Sequence, residues 1–213
     1  MIRLIVFDFD GTLGDTRANI MMTMQGAMQA LDLPEADEAS IAATIGLPLE
    51  EGFRQLFPQL SDEEITRCAA VYREIFERNR GKLKPQLFPG VKETLAALKR
   101  KGIVLTVASS RSSKSLNGFL DEMGIAEYIS YSLGADQVLR AKPDPEPVLQ
   151  TLRELKMDAG ETLVVGDMPV DILMGRRAGA RTCAVTWGNA DREALAKAAP
   201  DLIIDDITTL LQI

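Results

Sequence analysis

The chain has 213 residues, of which 46% are hydrophobic and 26% charged, as in an ordinary soluble globular protein. The formal net charge of −7 leaves no basic surface to offset the repulsion of nucleic-acid phosphates, so we predict no nucleic-acid partner. The sequence contains no histidine. Serine–histidine and cysteine–histidine catalysis are therefore excluded, and acid–base or metal chemistry falls to carboxylates, lysine or hydroxyls.

The first apolar run and the two cysteines indicate the cellular compartment of the protein. The run ends at Phe7, where Asp8 follows, and is too short for a signal or a membrane span. Cys68 and Cys183 lie far apart inside apolar stretches, which favours buried free thiols over a disulfide. We expect a cytoplasmic protein without a membrane partner.

A short strand and a long helical segment open the chain. Residues 3–7 form an apolar, β-branched run that predicts a buried strand. From residue 16 to about residue 80, apolar residues recur at helical spacing, and Ser61 with Glu64 matches a capping box. No strand-like run interrupts this segment, so we predict a small all-helical unit over residues 16–82.

Strands and helices alternate after residue 85. The predicted strands are 103–108, 128–132, 162–165, 181–186 and 202–204, and the predicted helices are 91–101, 112–123, 145–157, 170–178, 191–198 and 206–211. This alternation is typical of a mainly parallel sheet covered by helices on both faces. The predicted fold class is α/β, with a core that the helical insert interrupts after its first strand. Ligands bind such sheets beyond the carboxyl ends of the strands.

Two aspartates directly follow the first strand. Asp8 and Asp10 lie two residues apart and can face the same side. Carboxylates so close repel each other unless they share a proton or a cation, and Mg²⁺ commonly binds one or two carboxylates together with a substrate phosphate. Gly11 permits a sharp turn there and, with Thr12, would offer amides to a phosphate. The alternative is an ordinary Asp-rich turn in which an aspartate caps a helix.

Later strand ends supply further polar groups. Ser109 and Ser110 end one strand and can hold a phosphoryl oxygen, or else cap the next helix. Lys142 lies in a proline-rich loop and can neutralise phosphate charge, or else be a solvated surface lysine. Asp167 adds a third carboxylate, and Asp171 can orient a metal-bound water or Lys142, although a helix cap is the alternative for both aspartates. Together these residues indicate one site.

These pieces, in this order, resemble the four motifs of the haloacid dehalogenase superfamily, in its phosphatase branch. The matching segments are Asp8-Phe-Asp10-Gly-Thr-Leu13, Ser109, Lys142 and Gly166-Asp167-x-x-x-Asp171. The resemblance implies a Rossmann-like catalytic core formed by residues 1–15 and 83–213, with residues 16–82 as a helical cap domain.

The resemblance also implies a two-step mechanism. Asp8 would attack phosphorus and form an aspartyl-phosphate, while Asp10 would protonate the leaving oxygen and then deprotonate the hydrolytic water. Mg²⁺ would be held by Asp8, the main-chain carbonyl of Asp10 and Asp167. Ser109 and Lys142 would bind the phosphoryl oxygens.

The motifs also separate branches of the superfamily. A dehalogenase needs neither the second aspartate nor a metal, so Asp10 and Asp167 speak against it. The chain looks most like phosphoglycolate phosphatases, and we expect a small phosphate ester as substrate and a monomer or homodimer. The alternatives are a sugar phosphomutase, a pyrophosphatase or nucleotidase and, last, a non-catalytic binding protein. The apolar cap loop at residues 45–49 and the absence of histidine favour a hydrolase over a phosphomutase.

Two positions depart from the pattern of that branch. Gly14 stands where the family usually has an apolar residue, and Ser110-Arg111 stands where close phosphoglycolate phosphatases often have Asn-Lys. A methionine stripe predicts cap core rather than a binding surface, at Met21, Met24 and Met28. The candidate cationic contacts for a substrate carboxylate, each alternatively an ordinary solvated residue, are Arg17, Arg54, Lys82 and Lys84.

Overall fold

A six-stranded sheet forms the centre of the molecule in the computed structural model, which describes residues 1–82 and 84–213. The strands are β1 (Leu4–Phe7), β2 (Gly14–Asp15), β3 (Gln86–Leu87), β4 (Val104–Ala108), β5 (Tyr131–Leu133), β6 (Thr162–Gly166), β7 (Arg181–Val185) and β8 (Leu202–Ile204). The α-helices are α1 (Arg17–Ala30), α2 (Glu38–Ala42), α3 (Leu49–Leu56), α4 (Asp62–Asn79), α5 (Val91–Arg100), α6 (Ser113–Glu122), α7 (Glu146–Leu155), α8 (Pro169–Arg177) and α9 (Arg192–Lys197).

The order of the strands brings the predicted site residues to one edge. The central sheet is entirely parallel, in the order β5-β4-β1-β6-β7-β8. Phe7, the last residue of β1, stands in register with Val107 of β4 on one side and Val165 of β6 on the other. The segments that leave these three strands therefore start side by side, and the predicted α/β Rossmann-like fold class is confirmed.

Helices cover both faces of this sheet, as the continuous apolar runs of its strands require. Ile5 and Phe7 of β1 point into a core completed by α5 and α6, whereas Leu4 and Val6 point into a second core completed by α7 and α8. All four residues are fully buried. Burial on both faces fixes the register of β1 and so the position of the residues that follow it.

The segment between β2 and β3 contains helices α1 to α4 and, among its described residues, no strand. Its own apolar core includes Met21, Met24 and Met28, which confirms the interpretation of the methionine stripe. The capping box is also confirmed, since the Ser61 side chain and the Glu64 carboxylate each accept from the other's main-chain N–H. Residue 83, the predicted start of the second core segment, lies outside the described residues.

Several predicted boundaries differ from the structure for local reasons. The strand predicted at 128–132 begins only at Tyr131, because Ala126–Tyr128 form a 3₁₀ turn. The segment Ile207–Gln212 is a 3₁₀ helix rather than an α-helix. The two-residue strands β2 and β3 form an antiparallel ribbon that no periodicity of the sequence could reveal. Within the described part of the chain, every helix is too short or too polar to cross a bilayer.

Candidate active site

The Lys142 side chain contacts two aspartates near the carboxyl end of β1. Its ammonium donates to Oδ1 of Asp8, directly after β1, and to Oδ1 of Asp171, in the first turn of α8, at 2.7 Å. All three side chains are 3% exposed or less. The alternative of a solvated lysine is therefore wrong. Burial lowers the pKa of Lys142, but the carboxylates of Asp171 and Asp8 raise it more, so the pKa lies above its ordinary value and the ammonium stays charged.

Asp171 also contributes to the start of α8. Its Oδ2 accepts from the main-chain N–H of Met168 at 3.0 Å, while its Oδ1 accepts from Lys142. Asp171 thus contacts Lys142, as predicted, and it also caps the start of α8, which was the alternative. Because each oxygen has a partner, the carboxylate is held in one orientation.

Asp167, at the end of β6, is held from two sides. Its Oδ1 accepts from the Thr12 hydroxyl at 3.1 Å, and its Oδ2 accepts from the main-chain N–H and the side-chain amide of Asn189 at 2.7 and 2.9 Å. Burial, followed by the charge of Asp171, raises the pKa of Asp167 to about 7, against the lowering effect of these hydrogen bonds. A Cβ on Gly11 would lie 2.2 Å from Oδ2 of Asp167, so only glycine fits beside this carboxylate.

The environment of Asp8 suits a metal ion. Oxygens of Asp8, Asp167 and Asp171 lie within 4.8 Å of one another, and all three residues are buried. Burial raises the pKa of Asp8 well above its ordinary value, with a smaller opposing effect from Lys142. Among the described residues, no group hydrogen-bonds Oδ2 of Asp8, although the atom is buried. An orphaned carboxylate oxygen among further carboxylates is a donor set that a hard dication satisfies.

Asp10 is not part of the group formed by the three buried carboxylates and has partners of its own. The Arg111 guanidinium donates to both of its oxygens, from Nε at 2.8 Å and from Nη2 at 2.7 Å, and the Thr16 hydroxyl donates to Oδ1. Arg111 in turn lies over the rings of Phe119 and Phe76, with its Cζ 4.6 and 5.4 Å from the two centroids. The Asp10 carboxylate is therefore oriented separately from Asp8.

The two serines after β4 have different surroundings. The Ser109 hydroxyl accepts from the main-chain N–H of Arg111 at 3.2 Å and lies buried at the strand end. The Ser110 hydroxyl donates to the Gly46 carbonyl of the helical insert at 2.6 Å. Neither serine caps α6, because Ser112 does so through the N–H of Ser115. The Ser110 hydroxyl thus contacts the insert, and the phosphate-binding role of Ser110 stays a prediction.

The expectation of open amides at Gly11 and Thr12 is wrong. The Gly11 N–H donates to the Gly14 carbonyl at 2.9 Å, and the Thr12 N–H donates to the Phe9 carbonyl at 3.3 Å. Both amides are therefore used within the turn itself. Both residues instead lie against Asp167: Gly11 leaves room for its carboxylate, and the Thr12 hydroxyl donates to it.

A cavity of about 590 Å³ lies above Asp10, between the insert and the core. The described residues that line it do not include the four predicted cationic contacts Arg17, Arg54, Lys82 and Lys84. Arg54, for example, is paired on the outer surface with Glu51 and Asp62. The charged lining residues that approach from the insert and from α6 are Glu50, Arg73, Glu77 and Lys114.

Sequence reasoning missed three residues whose side chains contact the site aspartates: Thr16, which follows β2, and two residues that follow strands of the core. Asn189 follows the end of β7, and Arg111 follows Ser110 at the end of β4. The rule that polar groups beyond the strand ends form the site applies to both. Extending that rule to the strand predicted at 181–186 would have found Asn189.

Comparisons with known sequences identify a protein family. The family model of haloacid dehalogenase-like hydrolases matches residues 5–185, most of the chain. The chain belongs to this family. A protein of Dickeya dadantii named "Probable phosphatase IndB" is 38% identical over 98% of this chain and 91% of its own length. A phosphoglycolate phosphatase of Vibrio cholerae is 32% identical over 100% of this chain and 96% of its own.

Solved structures agree with this assignment. A haloacid dehalogenase-like hydrolase from Bacteroides fragilis superimposes with a TM-score of 0.92 at 26% identity, over 99% of this chain and 100% of that one. A predicted phosphoglycolate phosphatase from Haemophilus somnus gives a TM-score of 0.86 at 27% identity, over 99% and 97%. The family and the enzyme class predicted from the motifs, a phosphatase, are confirmed.

Proposed function

We propose that this chain is a Mg²⁺-dependent phosphomonoesterase that hydrolyses a small phosphorylated metabolite through an aspartyl-phosphate on Asp8. The observation that supports it best is the asymmetry of the Asp8 carboxylate. Lys142 holds Oδ1, whereas Oδ2 is buried without a hydrogen-bond partner among the described residues. The ammonium thus holds the carboxylate in place through one oxygen, and the protein leaves the second oxygen available to the phosphoryl group or to the ion.

The proposed reaction has two balanced steps. An oxygen of Asp8 forms a bond to phosphorus while the bond from phosphorus to the alcohol oxygen breaks, and the alcohol oxygen keeps the electron pair and takes a proton from Asp10. Water then attacks phosphorus and gives a proton back to Asp10, and the bond between Asp8 and phosphorus breaks. The products are the free alcohol and inorganic phosphate.

The neighbouring residues have supporting roles in this proposal. Lys142 offsets the negative charge of the phosphoryl group beside Asp8, and Ser109 lies at the adjacent strand end, where its hydroxyl can donate to a phosphoryl oxygen. Arg111 and Thr16 orient the Asp10 carboxylate. Asp171 holds the ammonium of Lys142 in place.

Mg²⁺ would be held by Asp8, the main-chain carbonyl of Asp10 and Asp167, with Asp171 close by. The carboxylate donors suit this ion, because the Lys142 ammonium contacts two of the three buried carboxylates and leaves negative charge for a cation to offset. When bound, the ion would offset the charge that develops on the phosphoryl oxygens.

Mg²⁺ is expected to stabilise the folded protein. At a concentration 100 times its dissociation constant, a ligand of the folded state adds about 2.7 kcal/mol. For a chain of this length the melting temperature should rise by roughly 5–10 °C relative to the protein in EDTA, as measured by differential scanning fluorimetry. Asp167→Asn should lose most of the rise, whereas Asp121→Asn, at an exposed aspartate of α6, should keep it. An equal rise in both variants would contradict the proposed ion site.

Release of phosphate from p-nitrophenyl phosphate, with Mg²⁺ and with EDTA, tests the proposed function directly. We expect phosphate release with Mg²⁺ and its loss in EDTA. Equal rates in the two solutions would overturn the metal dependence, and no release with Mg²⁺ would overturn the function. The relatives named phosphoglycolate phosphatase and pyrophosphatase make phosphoglycolate and pyrophosphate the first candidate substrates to compare.

A further inference from the structure

The cavity above Asp10 is large and is partly roofed by the insert. Its volume, about 590 Å³, lies within the range of sites that enclose drug-sized ligands. The loop at residues 45–49 forms part of its roof and touches the core, because Gly46 accepts from the Ser110 hydroxyl at 2.6 Å. A Cβ on Gly46 would lie 3.3 Å from the Met168 side chain, so the loop also packs against the segment that leads into α8. The volume is therefore that of a site that the insert covers in part.

The roof and walls of the cavity are mainly apolar. Side chains from α1, the roof loop, α4 and the core contribute, among them Ile20, Met24, Leu47, Leu49, Phe76 and Val138. The Tyr72 hydroxyl is a neutral polar group there, because burial raises its pKa to about 12. Such a lining favours an apolar group that carries at most a few hydrogen-bonding atoms.

Two of the three lining cations have partners inside the protein. Arg111 contacts two phenyl rings and binds both oxygens of Asp10, and Arg73 donates to Glu50 at 2.7 Å. The third cation, Lys114, is exposed at the rim, on α6. The other charged lining residues are carboxylates, Glu77 and Asp136. Under the roof, a second anionic group on the substrate would thus displace an existing ion pair or face carboxylates.

From this volume, lining and charge we infer that the substrate is a phosphomonoester whose alcohol is bulky, uncharged and largely apolar. The inference rests on the proposed function, and it disfavours phosphoglycolate and pyrophosphate. Glycolate would leave most of the cavity to water, and its carboxylate would find no unpaired cation in the covered part of the site. An apolar ring bound in the cavity would instead shield the apolar side chains of the roof from water.

The test compares two esters of primary alcohols, benzyl phosphate and phosphoglycolate, as substrates of the full chain with Mg²⁺. Since both are primary alkyl esters, the comparison mainly reflects the fit of the alcohol. We expect kcat/KM for benzyl phosphate to be at least about tenfold higher, the scale of discrimination by one apolar pocket. Leu47→Arg, which puts a cation into the roof, should reduce this ratio about tenfold or more. Gln59→Arg, which adds the same charge at an exposed position of the insert away from the cavity, should leave the ratio unchanged.

The outcomes separate this inference from the proposed function. Equal or higher kcat/KM for phosphoglycolate would overturn the inferred substrate class and leave the phosphatase intact. Hydrolysis of p-nitrophenyl phosphate without hydrolysis of benzyl phosphate would also overturn the substrate class. If none of the three esters is hydrolysed with Mg²⁺, the proposed function fails and the inference fails with it.

Discussion

Replacement of Asp8 by asparagine is expected to lower kcat for any phosphomonoester by about 10⁴-fold or more, the scale of loss when a covalent nucleophile is removed. Asparagine keeps the shape of the side chain and an oxygen that can accept from Lys142, so the change removes mainly the reactive charge. Single-turnover and steady-state phosphate release measure the loss. Asp121→Asn, at an exposed position of α6, should keep the activity of the unmodified chain.

The same Asp8→Asn change should stabilise the metal-free fold. Burial is the largest influence on Asp8 and raises its pKa well above the ordinary value, so the folded state is destabilised when this carboxylate is charged at neutral pH. A neutral amide avoids that cost. We expect a higher melting temperature in EDTA together with lost turnover. A variant that is both inactive and less stable would mean that Asp8 holds the structure together rather than reacts.

Replacement of Lys142 by methionine is expected to lower the free energy of unfolding by about 3 kcal/mol or more, because removal of one partner leaves buried charges uncompensated. Asp8 and Asp171 would then face each other without the ammonium that now contacts both. The melting temperature in EDTA should fall by roughly 6–12 °C. Turnover should fall as well, because the charge beside the phosphoryl group is lost.

A second variant separates charge compensation from packing in this prediction. In the double variant Asp8→Asn with Lys142→Met, one fewer buried carboxylate remains, so the loss of stability should be smaller than for Lys142→Met alone. Lys197→Met, at an exposed lysine paired with Glu193, should change stability little. Equal losses in the single and double variants would contradict electrostatic compensation at Lys142.

The strand ends of the core could be predicted from the sequence because their signals are local. Residues 4–7 are continuously apolar and are followed at once by Asp8, and the apolar residues 163–165 are followed by Gly166 and Asp167. The rule that parallel strands end at one edge then brings Asp8 and Asp167 together without any knowledge of contacts. The structure places both beside Asp171, and Lys142 contacts Asp8 and Asp171.

The partners of these residues could not be predicted in the same way, since they depend on long-range packing. Arg111 reaches Asp10 across 101 positions of the chain, and Asn189 reaches Asp167 across 22. The Ser110 hydroxyl contacts Gly46 only because the insert folds back over the core. Gly14 lies against the Phe9 ring, from which a Cβ would lie only 3.1 Å away, and no pattern in the sequence reveals this contact.

The most direct test of the proposed chemistry is the position of the phosphoryl group on the protein during turnover. Asp10→Asn should slow hydrolysis of the intermediate, while p-nitrophenyl phosphate still reacts because its leaving group needs little protonation. After acid quenching, peptide mass spectrometry should find one added phosphoryl group on Asp8. Release of phosphate with no phosphoryl group on Asp8, or with the group on another residue, would contradict the proposed mechanism.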